Sequence, residues 1–138
     1  MLPCYCGRVL LAARAMTRLY NDELRSAGIE ATQLLILQMV ADLGPMTQGQ
    51  LGERMAAGKT TVSRNVKLLQ KRRWLAIDEG EDRRCRLLAL TETGRSQIQK
   101  SRRQWKRAQQ RIRAAMPARR LEAFFGLLPE VAEAALRA

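Results

Sequence analysis

Between Lys59 and Arg72, short hydroxyl and amide side chains alternate with long cations. Thr60, Thr61, Ser63 and Asn65 stand beside Arg64, Lys67 and Lys71. Their chemistry is hydrogen bonding and charge neutralisation rather than bond breaking. An arginine fork reaches both acceptors on a guanine edge, lysines neutralise phosphates, and short polar groups serve phosphates and base edges alike. Spacing strengthens this reading. At 3.6 residues per turn Thr60, Arg64, Lys67 and Lys71 share one helix face, and Val62, Val66 and Leu69 share the opposite one. An ordinary amphipathic helix with a solvated polar face has the same pattern, so this segment alone leaves both readings open.

Composition narrows the choice. The 138 residues carry 25 Lys+Arg against 13 Asp+Glu, a formal net charge of +12. Such a surplus implies an anionic partner, with nucleic acid ahead of an anionic membrane or an acidic protein. Histidine is absent, which removes the commonest general base, the Ser-His and Cys-His nucleophile pairs and most zinc sites. There is no glycine-rich phosphate loop, and carboxylates pair only in surface-like runs such as Asp78-Glu79 and Glu81-Asp82. No catalytic residue, cofactor or metal site is therefore expected. No stretch approaches the ~20 apolar residues of a membrane span, and Met1 to Met16 does not read as a secretory leader. No membrane partner and a cytoplasmic location are expected. The three cysteines, Cys4, Cys6 and Cys85, form no even disulfide framework and suit a reducing compartment.

The elements that must position these residues are mostly helical. Apolar spacing predicts a first helix over Arg8 to Ala27, stopped by Gly28, and a second from a Thr32 cap through Leu43, closed by Gly44-Pro45. Thr47-Gln48-Gly49-Gln50 is a capping-box pattern opening a short third helix to about Met55. Gly58 breaks the pattern before the basic helix. Strands are expected at about Leu75 to Asp78 and Arg86 to Leu90, joined by the polar hairpin Glu79 to Arg84. Thr91 caps a long helix from Glu92 to about Ala115, and Pro117 starts a last one ending near Leu136.

In the long helix Ile98, Trp105 and Ile112 recur every seven residues, with the small residues Ser101, Ala108 and Ala115 between them. That spacing reads as a short coiled-coil-like seam between subunits. The last helix is apolar along Leu121, Phe124, Phe125, Leu128, Val131 and Ala135. So small a chain has little core left to cover these faces, and a homodimer is the expected cover. An intramolecular three-helix bundle is the alternative.

Helix, tight turn, helix and hairpin in this order is a winged helix-turn-helix, whose second helix enters the major groove. The hairpin region resembles the MarR (multiple antibiotic resistance regulator) family. Its signature, Asp-x-Arg, four residues, Leu-Thr-x-x-Gly, stands here as Asp82-Arg83-Arg84 through Leu90-Thr91-Glu92-Thr93-Gly94, with one extra residue in the gap. Gly44-Pro45-Met46-Thr47 and Lys59-Thr60-Thr61-Val62-Ser63-Arg64 are similar to the family's turn and recognition helix. The resemblance implies a mainly α fold with a small β-hairpin wing. It implies one domain over 1–138, with a DNA-binding lobe at 29–91 and dimerisation helices at 1–28 and 92–138. Thr60, Thr61, Ser63, Arg64 and Lys67 would contact DNA from the helix. By the same resemblance Arg84 is the minor-groove arginine, Asp82 its orienter, and Arg83 and Arg86 phosphate contacts. A carboxylate beside a hairpin-tip arginine holds it extended, as a narrow, electronegative minor groove requires.

Two positions depart from the family. Gly58 stands where Asp or Asn is frequent, so that N-cap has no side chain. Arg73 stands where Gly is usual and would have to bear a positive φ.

The expectation is a dimeric, sequence-specific regulator of transcription, normally a repressor, on an inverted-repeat duplex operator. A non-specific nucleic-acid-binding or packaging protein with the same basic surface is the alternative. The resemblance also implies a small phenolic or anionic effector, for which Arg14, Met16, Arg18, Tyr20 and Met39 are candidates by position. Cys4 and Cys6, near the start of the first helix, suggest oxidant sensing by a thiolate or capture of a soft metal ion; inert thiols in a reducing cytosol are the plain alternative.

Overall fold

The computed structural model describes residues 4–79 and 84–138. Among the described residues six α-helices and three short strands follow in the order α1 (Tyr5–Leu24), α2 (Ala31–Leu43), β1 (Met46–Thr47), α3 (Gln48–Met55), α4 (Lys59–Lys71), β2 (Leu75–Asp78), β3 (Leu87–Leu90), α5 (Glu92–Ala115) and α6 (Ala118–Arg137). The result is the mainly helical winged helix that the sequence implies.

The lobe is built around α2, whose Leu34, Ile36, Leu37 and Val40 are all buried. Met46, Leu51, Val62, Val66, Leu69, Trp74, Leu75 and Leu88 close the same core from α3, α4 and the sheet, and Leu24 and Ile29 join it from the α1–α2 connection. Fully burying a leucine or valine stabilises the fold by about 1.5–3 kcal/mol each, so this cluster dominates the lobe's stability. The sheet runs β1-β3-β2, antiparallel throughout, with Leu75 opposite Leu90, Ile77 opposite Leu88 and Met46 also opposite Leu88. β1 was not anticipated, because two residues show no alternation to read.

Several boundaries move for local reasons. α1 starts at Tyr5, earlier than Arg8, because the Cys4 thiol caps it by accepting from the Gly7 N–H at 3.3 Å. A 3-10 turn, Arg25–Ala27, follows Leu24, and Gly28 leaves it left-handed at φ 73°. Thr32 does not cap α2. Glu30 does, in a reciprocal box with Gln33, while Asn21 Oδ1 accepts from the Ala31 N–H at 2.7 Å. The Thr47–Gln50 box of α3 is present as read. β3 begins at Leu87, one residue after Arg86. Pro117 is the residue before α6 rather than its first, and α6 continues past an internal Pro129.

The turn between α3 and α4 carries its left-handed residue at Ala56 (φ 49°), while Gly58 is extended and caps α4 without a side chain. Arg73 has φ 60°, the conformation its place in the family pattern required. It ends α4 in a Schellman arrangement: the Trp74 N–H donates to Leu69 O at 3.0 Å, and the Arg73 N–H to Gln70 O at 2.9 Å.

The α5 seam is used inside the chain. Ser101 and Ala108 are fully buried, and Ile98 and Trp105 pack against the lobe core. α5 lies along α1 and α2, so part of the face that the heptad spacing assigns to a partner is used within the chain, with Ile98 and Trp105 left half-buried. Leu121 is also buried within the chain, and Ile112 is half-buried. Phe124 and Phe125 remain exposed, edge-to-face at 5.4 Å, as do Leu127 and Val131 on α6 and Val9, Leu10 and Leu11 on α1.

Candidate nucleic-acid interface

The buried stripe Val62, Val66 and Leu69 fixes the rotation of α4 against the core and leaves its polar side outward. Thr60, Thr61, Arg64, Lys67 and Lys71 are exposed and Ser63 is half-buried. Lys59, Thr60, Ser63, Arg64 and Lys67 line one shallow concavity along the helix. Lys59 is the member that helix periodicity had not singled out, since it opens the helix rather than sitting on its repeat. Asn65 is turned to its own helix, with Nδ2 donating to Thr61 O at 2.9 Å. Among the described residues no carboxylate lines this concavity; Glu53 stands in the adjoining recess, which shares Lys59 and Ser63.

On the wing, Arg84 and Arg86 are exposed just before β3. Asp82 and Arg83 lie outside the described residues. Cys85, between the two arginines, is exposed and free, so it is not packed into the wing.

The joint below the wing explains the Thr-x-x-Gly end of the motif. The Thr91 hydroxyl accepts from the Gly94 N–H at 2.9 Å and lies 2.6 Å from Arg73 O, to which it donates. The Thr91 N–H donates to Trp74 O at 3.2 Å. A Cβ on Gly94 would stand 2.2 Å from Trp74 O, far inside contact distance. Glycine is therefore required by close approach: the first turn of α5 rests directly on the backbone that leaves α4.

The five positional effector candidates do not converge. Met16 lines an apolar groove of about 370 Å³ between α1 and α6, with Val9, Ala12, Phe124, Phe125 and Leu128. Tyr20 and Met39 pack against the core, and Arg14 and Arg18 are exposed on α1. Burial raises the Tyr20 phenol above its ordinary pKa, partly offset by the Arg113 guanidinium. A different cleft, of about 300 Å³, opens between α2 and α5. Leu34, Ile98 and Trp105 form its apolar part, with Gln38 and Ser101 within it and Arg102 and Lys106 bringing positive charge. Sequence reading missed it because its lining comes from two helices whose register is set only by packing.

Cys4 and Cys6 are exposed on the first turn of α1. Among the described residues no group of three or more Cys, Asp or Glu is gathered to hold a metal ion, and no helix is long and apolar enough to cross a membrane.

Comparison with known proteins places this geometry. The MarR family model matches residues 27–84, the span from the α1–α2 connection through α4 to the wing. YwoH, an uncharacterised HTH-type transcriptional regulator of Bacillus subtilis (strain 168), is 31% identical over 81 residues, which are 59% of this chain and 59% of YwoH. This chain thus matches somewhat over half the length of that relative. Among solved structures, the M. tuberculosis transcriptional regulator MosR superimposes with a TM-score of 0.80 at 26% identity, covering 96% of this chain and 98% of MosR. MosR in complex with DNA gives 0.79 at 28% identity with the same coverage. BpsR of Bordetella bronchiseptica, whose DNA binding is regulated by 6-hydroxynicotinic acid, shares the fold at a TM-score of 0.81 and 19% identity, covering 94% of this chain and 93% of BpsR. YwoH and MosR are transcriptional regulators, not enzymes.

Proposed function

We propose that the chain is a winged-helix transcription regulator of the MarR family, acting in the cytoplasm as a homodimeric repressor released by a small phenolic or anionic effector. The observation that carries the reading is the exposed, cationic concavity Lys59, Thr60, Ser63, Arg64 and Lys67 on α4. The helix that carries it is of a size that a major groove about 12 Å across admits. Arg64 reads a base pair, the lysines hold phosphates, and Arg84 and Arg86 on the wing reach the flanking backbone and minor groove. Asp82 and Arg83 complete the wing as orienter and phosphate contact. Residues 29–91 form the reading lobe, and the helices on either side of it form the dimer.

The dimer rests on α1 and α6. Their exposed apolar residues flank the groove that Met16 shares with Phe124 and Phe125, and a contiguous apolar surface of this kind marks an interface. Two-fold symmetry then places two recognition helices one duplex turn apart, so the operator is an inverted repeat with half-site centres about 10 bp apart.

The α2–α5 cleft fits the effector better than the α1 residues first considered. Its aromatic and aliphatic part takes a ring, and Arg102 and Lys106 take an acidic group. It sits between the reading lobe and the long helix, where occupancy biases their relative position. Regulation of BpsR by 6-hydroxynicotinic acid offers a ligand of the same class. A thiol-reactive signal at Cys4 and Cys6 is a second input. A hydroperoxide takes two electrons from two thiols of opposing subunits, leaving a disulfide, an alcohol and water, and the resulting strain on α1 shifts the recognition helices.

Selection from a random duplex pool tests the core of this proposal. A regulator enriches one inverted repeat; a packaging protein enriches none and shows only a steep salt dependence. Gel shifts with the recovered operator then assay release by small aromatic acids on wild type and Trp105→Ala. Release by hydroperoxide is assayed on wild type and the Cys4→Ser, Cys6→Ser double variant.

A further inference from the structure

We propose that Arg72 is a positioning residue that ties the recognition helix to the dimerisation helices through the Ala27–Gly28 joint. The inference rests on the dimeric DNA-reading function above. Two consecutive carbonyls of that joint are gripped by different elements: Gln97 Nε2 of α5 donates to Ala27 O at 2.6 Å, and Arg72 Nη1, at the end of α4, donates to Gly28 O at 2.6 Å. Gln97 is buried. Ile29, next along the chain, is buried in the core, so the joint cannot drift from the lobe.

The Arg72 guanidinium is held on a second side, 5.0 Å from the centre of the Trp74 ring. The Trp74 carbonyl in turn accepts from the Thr91 N–H at the start of α5. A planar cation that both stacks and donates is held more firmly than a flexible ammonium. The end of α4 is thus fastened to α5 by two routes, one through Gly28 and one through Trp74.

Arg72 does not belong to the DNA-reading set. At about 100° per residue it lies roughly 120° around the helix from Thr60, while Arg64, Lys67 and Lys71 cluster near Thr60. It lines a separate recess with Asn21, Arg25, Glu30 and Gln33. Its charge therefore acts within the fold. When α5 shifts against α1, as effector binding or a change of dimer geometry requires, the 27–28 joint carries that shift to the far end of α4. The tilt of the helix in the groove, and hence the spacing of the two helices, follows.

The test uses inverted repeats built from the half-site recovered by selection, with the spacer lengthened or shortened by one and two base pairs. Wild type is expected to prefer one spacer. Arg72→Met, which keeps the stem over Trp74 but has no donor, is expected to bind the best spacer about tenfold more weakly and to lose the spacer preference. Its salt slope and dimer mass should be unchanged. Arg72→Lys, which restores a donor without the planar stack, is expected to recover the preference in part, and it carries the test should the methionine variant not fold. Equal weakening on all spacers with a salt slope reduced by about one would make Arg72 a phosphate contact and overturn the proposal; so would an unchanged spacer profile. If wild type itself has no spacer preference, the two-fold reading beneath the proposal fails first, and the two failures are distinct.

Discussion

The reading lobe and the helices around it solve opposite problems with the same kind of residue. In the lobe, Leu34, Ile36, Leu37, Leu51, Val62, Val66 and Leu69 are almost fully removed from water by one another. On α1 and α6, Val9, Leu11, Phe124, Phe125, Leu127 and Val131 keep between 43% and 66% of their surface exposed. The lobe closes its own core; the outer helices do not. A closed core makes a firm platform for α4, and the open apolar faces are the surface on which the proposed dimer rests. The division suits the proposed dimer, in which each reading head is held stiffly while its relation to the other stays adjustable.

The largest effect is expected where the two regions are joined. Gly94→Ala drives a methyl group into Trp74 O and Leu90, and neither the backbone nor the start of α5 has room to yield. The expected loss is at least about 3 kcal/mol in urea unfolding, at the upper end of overpacking costs. A loss below about 1 kcal/mol would show that α5 can move off the lobe freely.

Next in size is the separation of the two regions by mutation. The double variant Phe124→Glu, Phe125→Glu places charge on the open α6 face and is expected to weaken self-association at least 100-fold, about 2.7 kcal/mol. Light scattering at micromolar concentration should fall from twice the 15.6 kDa chain mass toward the single-chain value. The lobe should keep its helical circular dichroism, because no core residue is touched. A variant that stays dimeric would move the interface elsewhere on the surface.

Arg64→Ala sharpens the contrast from the other side. It should cost about 1–3 kcal/mol of operator binding and relax preference at one base pair, with no change in dimer mass. The glutamate pair should instead reduce both mass and operator affinity. Loss of mass in Arg64→Ala would mean the regions are not separable as described.

The same division shows what was legible in the sequence. Features decided within a few residues are readable: the Thr47–Gln50 box, the stripe of α4 and the Thr91 cap. The positive φ of Arg73 follows from the family resemblance, which puts Gly at that position. Glu30 and Asn21 displaced the expected Thr32 cap because Asn21 reaches the α2 N-terminus from ten residues upstream. The heptad spacing of Ile98 and Trp105 predicts an intersubunit seam, while within the chain those half-buried residues also pack against their own core. Periodicity reveals which face of a helix is apolar and not whose surface covers it. The α2–α5 cleft was illegible for the same reason, whereas Lys59 was overlooked only because it precedes the repeat.

The smallest effect concerns the residue that the family pattern marks as out of place. Arg73 ends α4 in the left-handed region at φ 60°, a conformation that costs an L-residue roughly 1–2 kcal/mol. Glycine adopts it freely but gives up more chain entropy on folding, about 0.5–1 kcal/mol relative to alanine. Arg73→Gly is therefore expected to stabilise the protein by about 0.5–1 kcal/mol, read as a higher midpoint in urea. The bonds that organise this corner are indifferent to the side chain, since Arg73 contributes its N–H to Gln70 O and its carbonyl to the Thr91 hydroxyl. Operator affinity and spacer preference should then stay within twofold of wild type, because the anchor of α4 is Arg72 and not its neighbour. A stabilised variant with altered spacer preference would instead mean that strain at Arg73 itself helps to set the tilt of the recognition helix.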